Sequence, residues 1–454
     1  MSVELANAYP KKSFFIQMFT KDVSLEDCVL DLLDNSVDGL IRTQKIKLSA
    51  ISQSIFRRNG SAQTQKAGVP VVRIDYSQRE LTVHDTCGGI DWEYALTEAF
   101  NFGHSRQHRL GYLGVYGVGL KRALFKIGRK FRIMSRTLDS GFTCDLDVDQ
   151  WLSKDDRLED WKIPLESAPK AESARSAGTV IRITRLHEEV KMRFRDPGFE
   201  KQLVGAIERT YAFFLKEYLR IKINGREIKR FVIPVGQPKG GRASYEELKE
   251  GGVRVRILAT LASKGEAGGL SAESAGWYII CNGRVVLAAD KSEKSGWNTP
   301  ALPQFHSKYT AFIGLVFFES ENPLLLPWTT TKRDLNQESA VYLHVKDRMG
   351  IAARPIISFC NKKYPADRDE EPIEREISRE VVGVSLGQLK SARPSLFEAM
   401  APGKIKRKTT TRVQYDAENA DLDRIKKHLR KAQMSANKIG RHTFDYFLKQ
   451  EGLT

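Results

Sequence analysis

Long apolar runs are missing from this chain of 454 residues. None approaches the ~20 residues needed to span a bilayer. Residues 1–12 lack the apolar core of a signal peptide. The expectation is a soluble, cytoplasmic protein with no membrane partner. Cysteine is scarce and scattered: Cys28, Cys87, Cys144, Cys281 and Cys360 form no CxxC pair. That spacing argues against a zinc site or a disulfide framework. Acidic residues are also in deficit. Asp and Glu total 56 against 73 Lys and Arg, a net charge of +17 that favours polyanionic partners or is simply a solvated surface. No internal repeat is visible. Hydrophobic residues at 41% and charged residues at 28% give a globular balance. The length accommodates about two to four domains.

Helix and strand patterns alternate through the first half. A helix is predicted over 24–40, with Ser24 as its N-cap. Residues 71–76 and 81–84 read as a hairpin. A polar loop over 102–116 precedes a helix starting near Leu120. Strands follow at 131–135, 142–148 and 179–184, an α/β layer. From about Arg195 a second unit begins with a helix over 198–216. Asn-Gly turns at Asn224-Gly225 and Asn282-Gly283 mark hairpins. Residues 235–275, rich in Gly, Ser and Ala, read as a mobile insertion. A strand at 311–318 leads to Thr329-Thr330-Thr331-Lys332, and a helix runs from about Asn336 to Lys363. Beyond it lie a charge-dense stretch at 367–380, a basic stretch at 402–411 and two short helices at 422–433 and 435–449.

Three segments carry chemistry. In the first, Asp31, Asn35 and Asp38 are spaced i, i+4, i+7 on one helix face, while Leu30, Leu33 and Val37 face a core. Hard oxygen ligands suit magnesium, and a spare carboxylate suits a general base; alone, the pattern also fits a solvated acidic face. In the second, Asp85 closes a strand before Cys87-Gly88-Gly89, where glycines let backbone approach a planar ligand; alone, it reads as an ordinary turn. The third is Gly114-Val115-Tyr116-Gly117-Val118-Gly119-Leu120-Lys121, glycines opening a helix whose N–H groups and lysine suit phosphate. It is neither a Walker A loop nor a Rossmann fingerprint, since Arg122 stands where the third glycine belongs.

In order and spacing these segments resemble the GHKL (Bergerat-fold) ATPase superfamily of gyrase, MutL, topoisomerase VI, microrchidia proteins and the heat-shock chaperones. The resemblance implies ATP and Mg²⁺ as ligands and slow hydrolysis of ATP to ADP and phosphate. Asn35 matches the magnesium ligand, Asp31 the water-activating acid, Asp85 the adenine reader and Gly89 the glycine behind it. Gly114, Tyr116, Gly117, Val118, Gly119, Leu120 and Lys121 match the phosphate loop, Asp38 on the helix face of Asn35 is a further cofactor-binding candidate, and Gly178-Thr179 looks like the last motif, with Thr179 near adenine. Aspartate stands where gyrase and MutL carry glutamate; Glu26 is the alternative base.

The implied fold class is α+β, a Bergerat-type ATPase α/β sandwich over 1–194. A transducer-like α/β domain follows over 195–365, and 366–454 form a charged linker and basic helical tail. In the transducer of related proteins a lysine reaches the γ-phosphate, and Lys332 is its candidate here. An N-terminal arm that crosses to a partner subunit in such proteins has its counterpart in residues 10–18, which could equally pack on their own domain. The tail from Pro402 onward holds thirteen Lys and Arg against six Asp and Glu, +7 of the total charge. It reads either as a helix-turn-helix presenting Lys438, Arg441 and His442, or as a helical hairpin docking on protein. The resulting expectation is an ATP-gated homodimeric clamp acting on DNA or RNA, in repair, topology or antiviral defence, with an effector protein as a further partner. The alternatives are a chaperone-like ATPase and a non-hydrolysing ATP sensor.

Overall fold

The computed structural model describes residues 11–48, 51, 55–56, 68–102, 111–154, 161–215, 217–263, 271–363, 381–399 and 416–453. The expected features at Pro10, at most of the 102–116 loop and at 367–380 and 402–411 lie outside them. The chain divides into two compact units, Met1–Met400 and Ala401–Thr454.

The first unit opens with α1 (Lys12–Thr20) and α2 (Leu25–Thr43). Ser24 starts α2 as expected, its side chain accepting the Asp27 N–H, which satisfies a donor that has no intrahelical acceptor. Leu30, Leu33 and Val37 are fully buried. α2 packs against α3 (Gly119–Ile127).

An eight-stranded sheet underlies these helices. Its members are β1 (Val71–Tyr76), β2 (Glu80–Asp85), β3 (Gly128–Arg136), β4 (Gly141–Asp147), β5 (Glu166–Ser167), β6 (Gly178–Leu186), β7 (Arg220–Ile223) and β8 (Arg226–Glu227), in the spatial order β5-β4-β3-β6-β2-β1-β7-β8. Burial alternates along β3, as it must where one face is covered and the other meets water. All pairings are antiparallel except β1 with β7. The sheet therefore continues past residue 194. The Asn224-Gly225 turn that joins β7 to β8 has φ of 45° and 81°, the left-handed pair such a two-residue hairpin needs. Between β6 and β7 the chain forms α4 (Glu188–Arg195) and α5 (Pro197–Thr210).

The second sheet contains β9 (Val235–Pro238), β10 (Ser244–Glu250), β11 (Val253–Ala262), β12 (Gly276–Cys281), β13 (Arg284–Asp290), β14 (Phe312–Glu319) and β15 (Val381–Gly383). The path runs β13-β12-β14-β11-β9-β15, with β10 also on β11. For the described residues, 235–263 and 271–275, this corrects the reading of 235–275 as a mobile insertion. Its glycines and serines flank an apolar run, Val253, Val255, Ile257, Leu258 and Leu261, that is buried in the middle of the sheet. Loop composition at the ends masks the strand between them. A long helix, α6 (Ala340–Lys363), packs on β11 and β14. The mix of helices and sheets is α+β.

In the second unit, α7 (Asn419–His428) and α8 (Ala436–Gln450) pair, with Ser435 capping α8. Ile439 is buried, but Phe444, Tyr446 and Phe447 are exposed, as are Lys438, Arg441 and His442. The apolar face expected from Tyr446 and Phe447 is thus not covered within the unit. Among the described residues no helix is long and apolar enough to cross a membrane.

Candidate functional site

One cleft in the first unit gathers the residues of the three motifs, with Thr179 and Lys332. Asp31, Asn35, Asp38, Asp85, Gly89, Gly114, Tyr116, Gly117, Val118, Gly119, Leu120, Lys121, Thr179 and Lys332 all line it. They come from α2, the end of β2, the loop into α3, the start of β6 and the second sheet's 328–335 loop. Asp34 and Lys332, which meet here, are 298 positions apart in sequence, and only the fold brings them together.

At one end, Asp85 is the last residue of β2 and stands opposite Thr179 of β6; Thr179 in turn stands opposite Ser135 of β3. Asp85 accepts the Cys87 N–H at 2.8 Å and the Ser36 hydroxyl at 3.2 Å. The Thr179 and Ser135 hydroxyls share a hydrogen bond of 2.9 Å. Burial pushes the Asp85 carboxyl above its ordinary range, while the Cys87 N–H and Ser36 hydroxyl pull the other way. Gly89 is required here for a backbone reason. Its φ is +73°, and a Cβ would sit 2.2 Å from the Arg136 carbonyl oxygen.

Along α2 the cleft-facing residues differ sharply. Asn35 is exposed to the cleft, and its amide makes no hydrogen bond to another described residue. Asp38 accepts the N–H groups of Leu113 and Gly114 at 2.6 and 2.7 Å, so it anchors the loop that enters α3. Burial pushes its carboxyl up to about 6, against the pull of Lys332 and those two N–H groups. Asp31 is buried and pairs with Arg122, whose Nε and Nη2 both reach Oδ2, at 2.9 and 2.5 Å. Burial raises the Asp31 carboxyl and the Arg122 charge opposes it. The acidic side of α2 is therefore not a solvated face.

The loop from Gly114 to Gly119 fits closely against these carboxylates. A Cβ on Gly114 would lie 2.7 Å from Asp38 Oδ2, and one on Gly119 3.1 Å from Asp31 Cγ. Gly117 has φ +62°. At the start of α3 the N–H groups of Gly119, Leu120 and Lys121 have no intrahelical acceptor, and Val118 supplies no side-chain cap. Lys121 behaves differently from expectation. Its ammonium is buried and donates to the Ala99 carbonyl at 3.0 Å, beside the Phe102 ring. Burial holds its pKa down to about 8, with Glu98 opposing.

Lys332 also arrives with a partner. Its Nζ lies 2.9 Å from Asp34 Oδ2, and both residues are buried. Sequence alone assigns no role to Asp34, Arg122 or Arg284. Asp34 and Arg122 each adjoin a motif residue, a signal that could have found them; Arg284 follows the Asn282-Gly283 turn and offers none. Glu26, the alternative base, pairs with Arg193 and does not line the cleft. α1 packs in part on its own unit: Lys12 Nζ donates to the Trp151 and Lys154 carbonyls and Phe15 packs on Phe102 and Trp161, while Phe14 and Met18 are exposed.

The donor set fits magnesium held in part by a nucleotide. Asn35 lines the cleft with its side chain exposed, and an amide oxygen is a hard ligand of the kind magnesium takes while phosphates and water complete its shell. Among the described residues no group of three or more His, Cys, Asp or Glu could cage a metal alone. No curated protein matches the chain. Residues 23–179 match the family model of histidine kinase-, DNA gyrase B- and HSP90-like ATPases. That span runs from the start of α2 to Thr179 and encloses most of the cleft, leaving out the 328–335 loop, so the chain carries an ATPase domain of the GHKL superfamily.

Proposed function

We propose that this cleft binds Mg-ATP and hydrolyses it slowly, and that the chain works as an ATP-gated homodimeric clamp on nucleic acid. The observation that carries the reading is the cleft's polarity from end to end. A buried carboxylate, Asp85, with acceptor capacity left over suits an exocyclic amine. Uncapped N–H groups at the start of α3, across the cleft, suit phosphate. Asn35, between them, would hold magnesium, which when bound supplies positive charge to the phosphates. Asp31 would take a proton from water at Oδ1, because Arg122 occupies Oδ2. Lys332 would contact the terminal phosphate. The net charge of +17 supports a polyanionic target for the clamp.

Calorimetric titration with ATP and GTP tests the site. Asp85→Ala should weaken ATP binding at least about a hundredfold, since a site built around one polar partner loses heavily without it. Equal affinity of the wild type for GTP would remove the adenine assignment. Light scattering with a non-hydrolysable ATP analogue tests closure; a protein that binds the analogue and stays monomeric is not a clamp. The sensor reading has one observation in its favour: the Arg122 pairing restrains Asp31.

A further inference from the structure

Behind the cleft three carboxylates, Asp31, Asp34 and Asp38, meet three cations, Arg122, Arg284 and Lys332, but they do not pair one to one. Asp31 pairs with Arg122 and Asp34 with Arg284, whose Nε lies 3.0 Å from Asp34 Oδ1. The Tyr211 hydroxyl lies 2.7 Å from the same oxygen and 2.9 Å from the Leu30 carbonyl. Asp38 is held by backbone N–H groups. Lys332 is then the surplus cation, resting on Asp34 Oδ2. When it leaves, Asp34 keeps Arg284, and Asp38, which also feels the Lys332 charge, keeps its two backbone N–H groups.

The backbone around Lys332 points the same way. Its φ is +56°, a left-handed conformation that a residue with a side chain adopts only when its surroundings impose it. Arg284 Nη1 donates to the Lys332 carbonyl, and the Lys332 N–H donates to Thr329 O at 2.9 Å. Arg284 therefore holds both the acid that receives Lys332 and the peptide that carries it. Its Nη2 is buried and has no hydrogen-bond partner among the described residues, a donor in reserve beside Asp34.

We propose that Asp34 is a specificity-determining residue that competes with the terminal phosphate of a nucleoside triphosphate for Lys332. This rests on the reading that Lys332 contacts that phosphate. With a diphosphate bound, Lys332 stays on Asp34. With a triphosphate, the ammonium exchanges one anion for another and Arg284 alone compensates Asp34. The competition lowers triphosphate affinity without touching diphosphate affinity, so Asp34 sets the ratio between them. A merely structural Asp34 would affect both ligands alike.

The test is calorimetric titration of the full chain, with magnesium, using a non-hydrolysable ATP analogue and ADP. The variants are Asp34→Asn, Lys332→Met, the double variant and Tyr211→Phe. Lys332→Met should lower the triphosphate-to-diphosphate affinity ratio. Asp34→Asn should raise it at least about tenfold, the scale of one charge-assisted hydrogen bond. That gain should vanish in the double variant. Tyr211→Phe removes a donor from Asp34, which then holds Lys332 more tightly, so the ratio should fall a few-fold. This gentler variant decides the matter if Asp34→Asn does not fold. A ratio lowered by Lys332→Met but unmoved by Asp34→Asn, or by Tyr211→Phe where the first does not fold, overturns the competition and leaves the Lys332 reading standing. A ratio unmoved by Lys332→Met overturns both.

Discussion

Both sheets bury polar side chains, but they spend them on different neighbours. Across β2, β6 and β3 stand Asp85, Thr179 and Ser135, each tied to a named partner, and Asp85 and Thr179 open onto the cleft. In the second sheet several buried polar groups close within the sheet, Arg284 of β13 excepted. Arg256 of β11 pairs with Glu319 of β14 at 2.7 Å, and Thr260 donates to the Gly236 carbonyl. Along β12 and most of β14 the buried side chains are aromatic or aliphatic. A buried polar group costs free energy unless it is bonded, so its presence has to be matched by specific neighbours. Partners inside the sheet leave nothing over for a ligand, whereas a carboxylate at a strand end keeps acceptor capacity. Among the described residues, Arg284 of β13 meets Asp34 of α2, and Thr330 and Lys332 of the loop after β14 line the cleft. The second sheet is a platform that delivers one arginine and one lysine to the first.

The largest effect that would sharpen this contrast lies in the platform. Gly314 of β14 stands opposite Trp277 of β12, and a Cβ would come 2.3 Å from the indole ring. Trp277 is fully buried and has nowhere to move. Gly314→Val should destabilise the protein by about 3 kcal/mol or more, the upper range for overpacking a core. Thermal unfolding followed by circular dichroism measures it. A loss below about 1 kcal/mol would show that the platform yields, and the contrast between the sheets would weaken.

A smaller effect belongs to the cleft and depends on pH. Asp38 has its carboxyl raised from 3.8 to about 6. Between those values the folded state binds the proton that the unfolded state has released. Asp38 therefore adds stability as pH falls from 7 through 6, and the gain is complete below 3.8. The shift sets a ceiling of about 3 kcal/mol. Asp34 runs the other way. Burial raises it, but the charges of Arg284 and Lys332 and its hydrogen bonds bring it down to about 2, so its stabilising share is lost only as pH drops from 3.8 toward 2. Denaturant unfolding of wild type and Asp38→Asn between about pH 7.5 and 4.5 isolates the Asp38 share. The difference, wild type minus variant, should rise on acidification. A flat difference would mean that Asp38 does not titrate in this window.

Much of the cleft is legible in the sequence because its motifs are local. Asp31 and Asn35 share one helix, Gly114 to Lys121 one loop, and Asp85 and Gly89 one strand end. What is not legible is how the charges pair. Arg122 reads as an interrupted glycine pattern, yet it is the partner of Asp31. Lys121 reads as a phosphate ligand, yet its ammonium turns to the Ala99 carbonyl. Arg284 meets Asp34 across 250 positions, a separation no periodicity reports. β11 is hidden for a compositional reason, since the glycines and serines that flank it dominate any window wide enough to include them.

The smallest expected effect separates two carboxylates of α2. Glu26 and Asp31 are five positions apart, about 500° of helical rotation, which leaves them roughly 140° apart around the axis. They cannot both face the cleft. Asp31 does, beside Gly119. Glu26 turns to Arg193 at 2.5 Å, and that arginine is partly exposed. Exposed and half-exposed pairs contribute little, about 0–1 kcal/mol. Glu26→Gln should therefore lower stability by at most about 1 kcal/mol and leave the rate of phosphate release within about twofold of wild type. Asp31→Asn should reduce that rate about a hundredfold or more, the usual share of a general base, while nucleotide still binds. Parallel measurement of phosphate release and analogue affinity for the two variants checks both statements. A rate that collapses in Glu26→Gln and survives in Asp31→Asn would reverse the assignment. It would also require α2 to rotate, or its first turn to unwind, when nucleotide enters. That outcome would shift the chemistry from the buried side of the helix to the face that now meets α4, and the contrast between a prepared cleft and a passive platform would no longer hold.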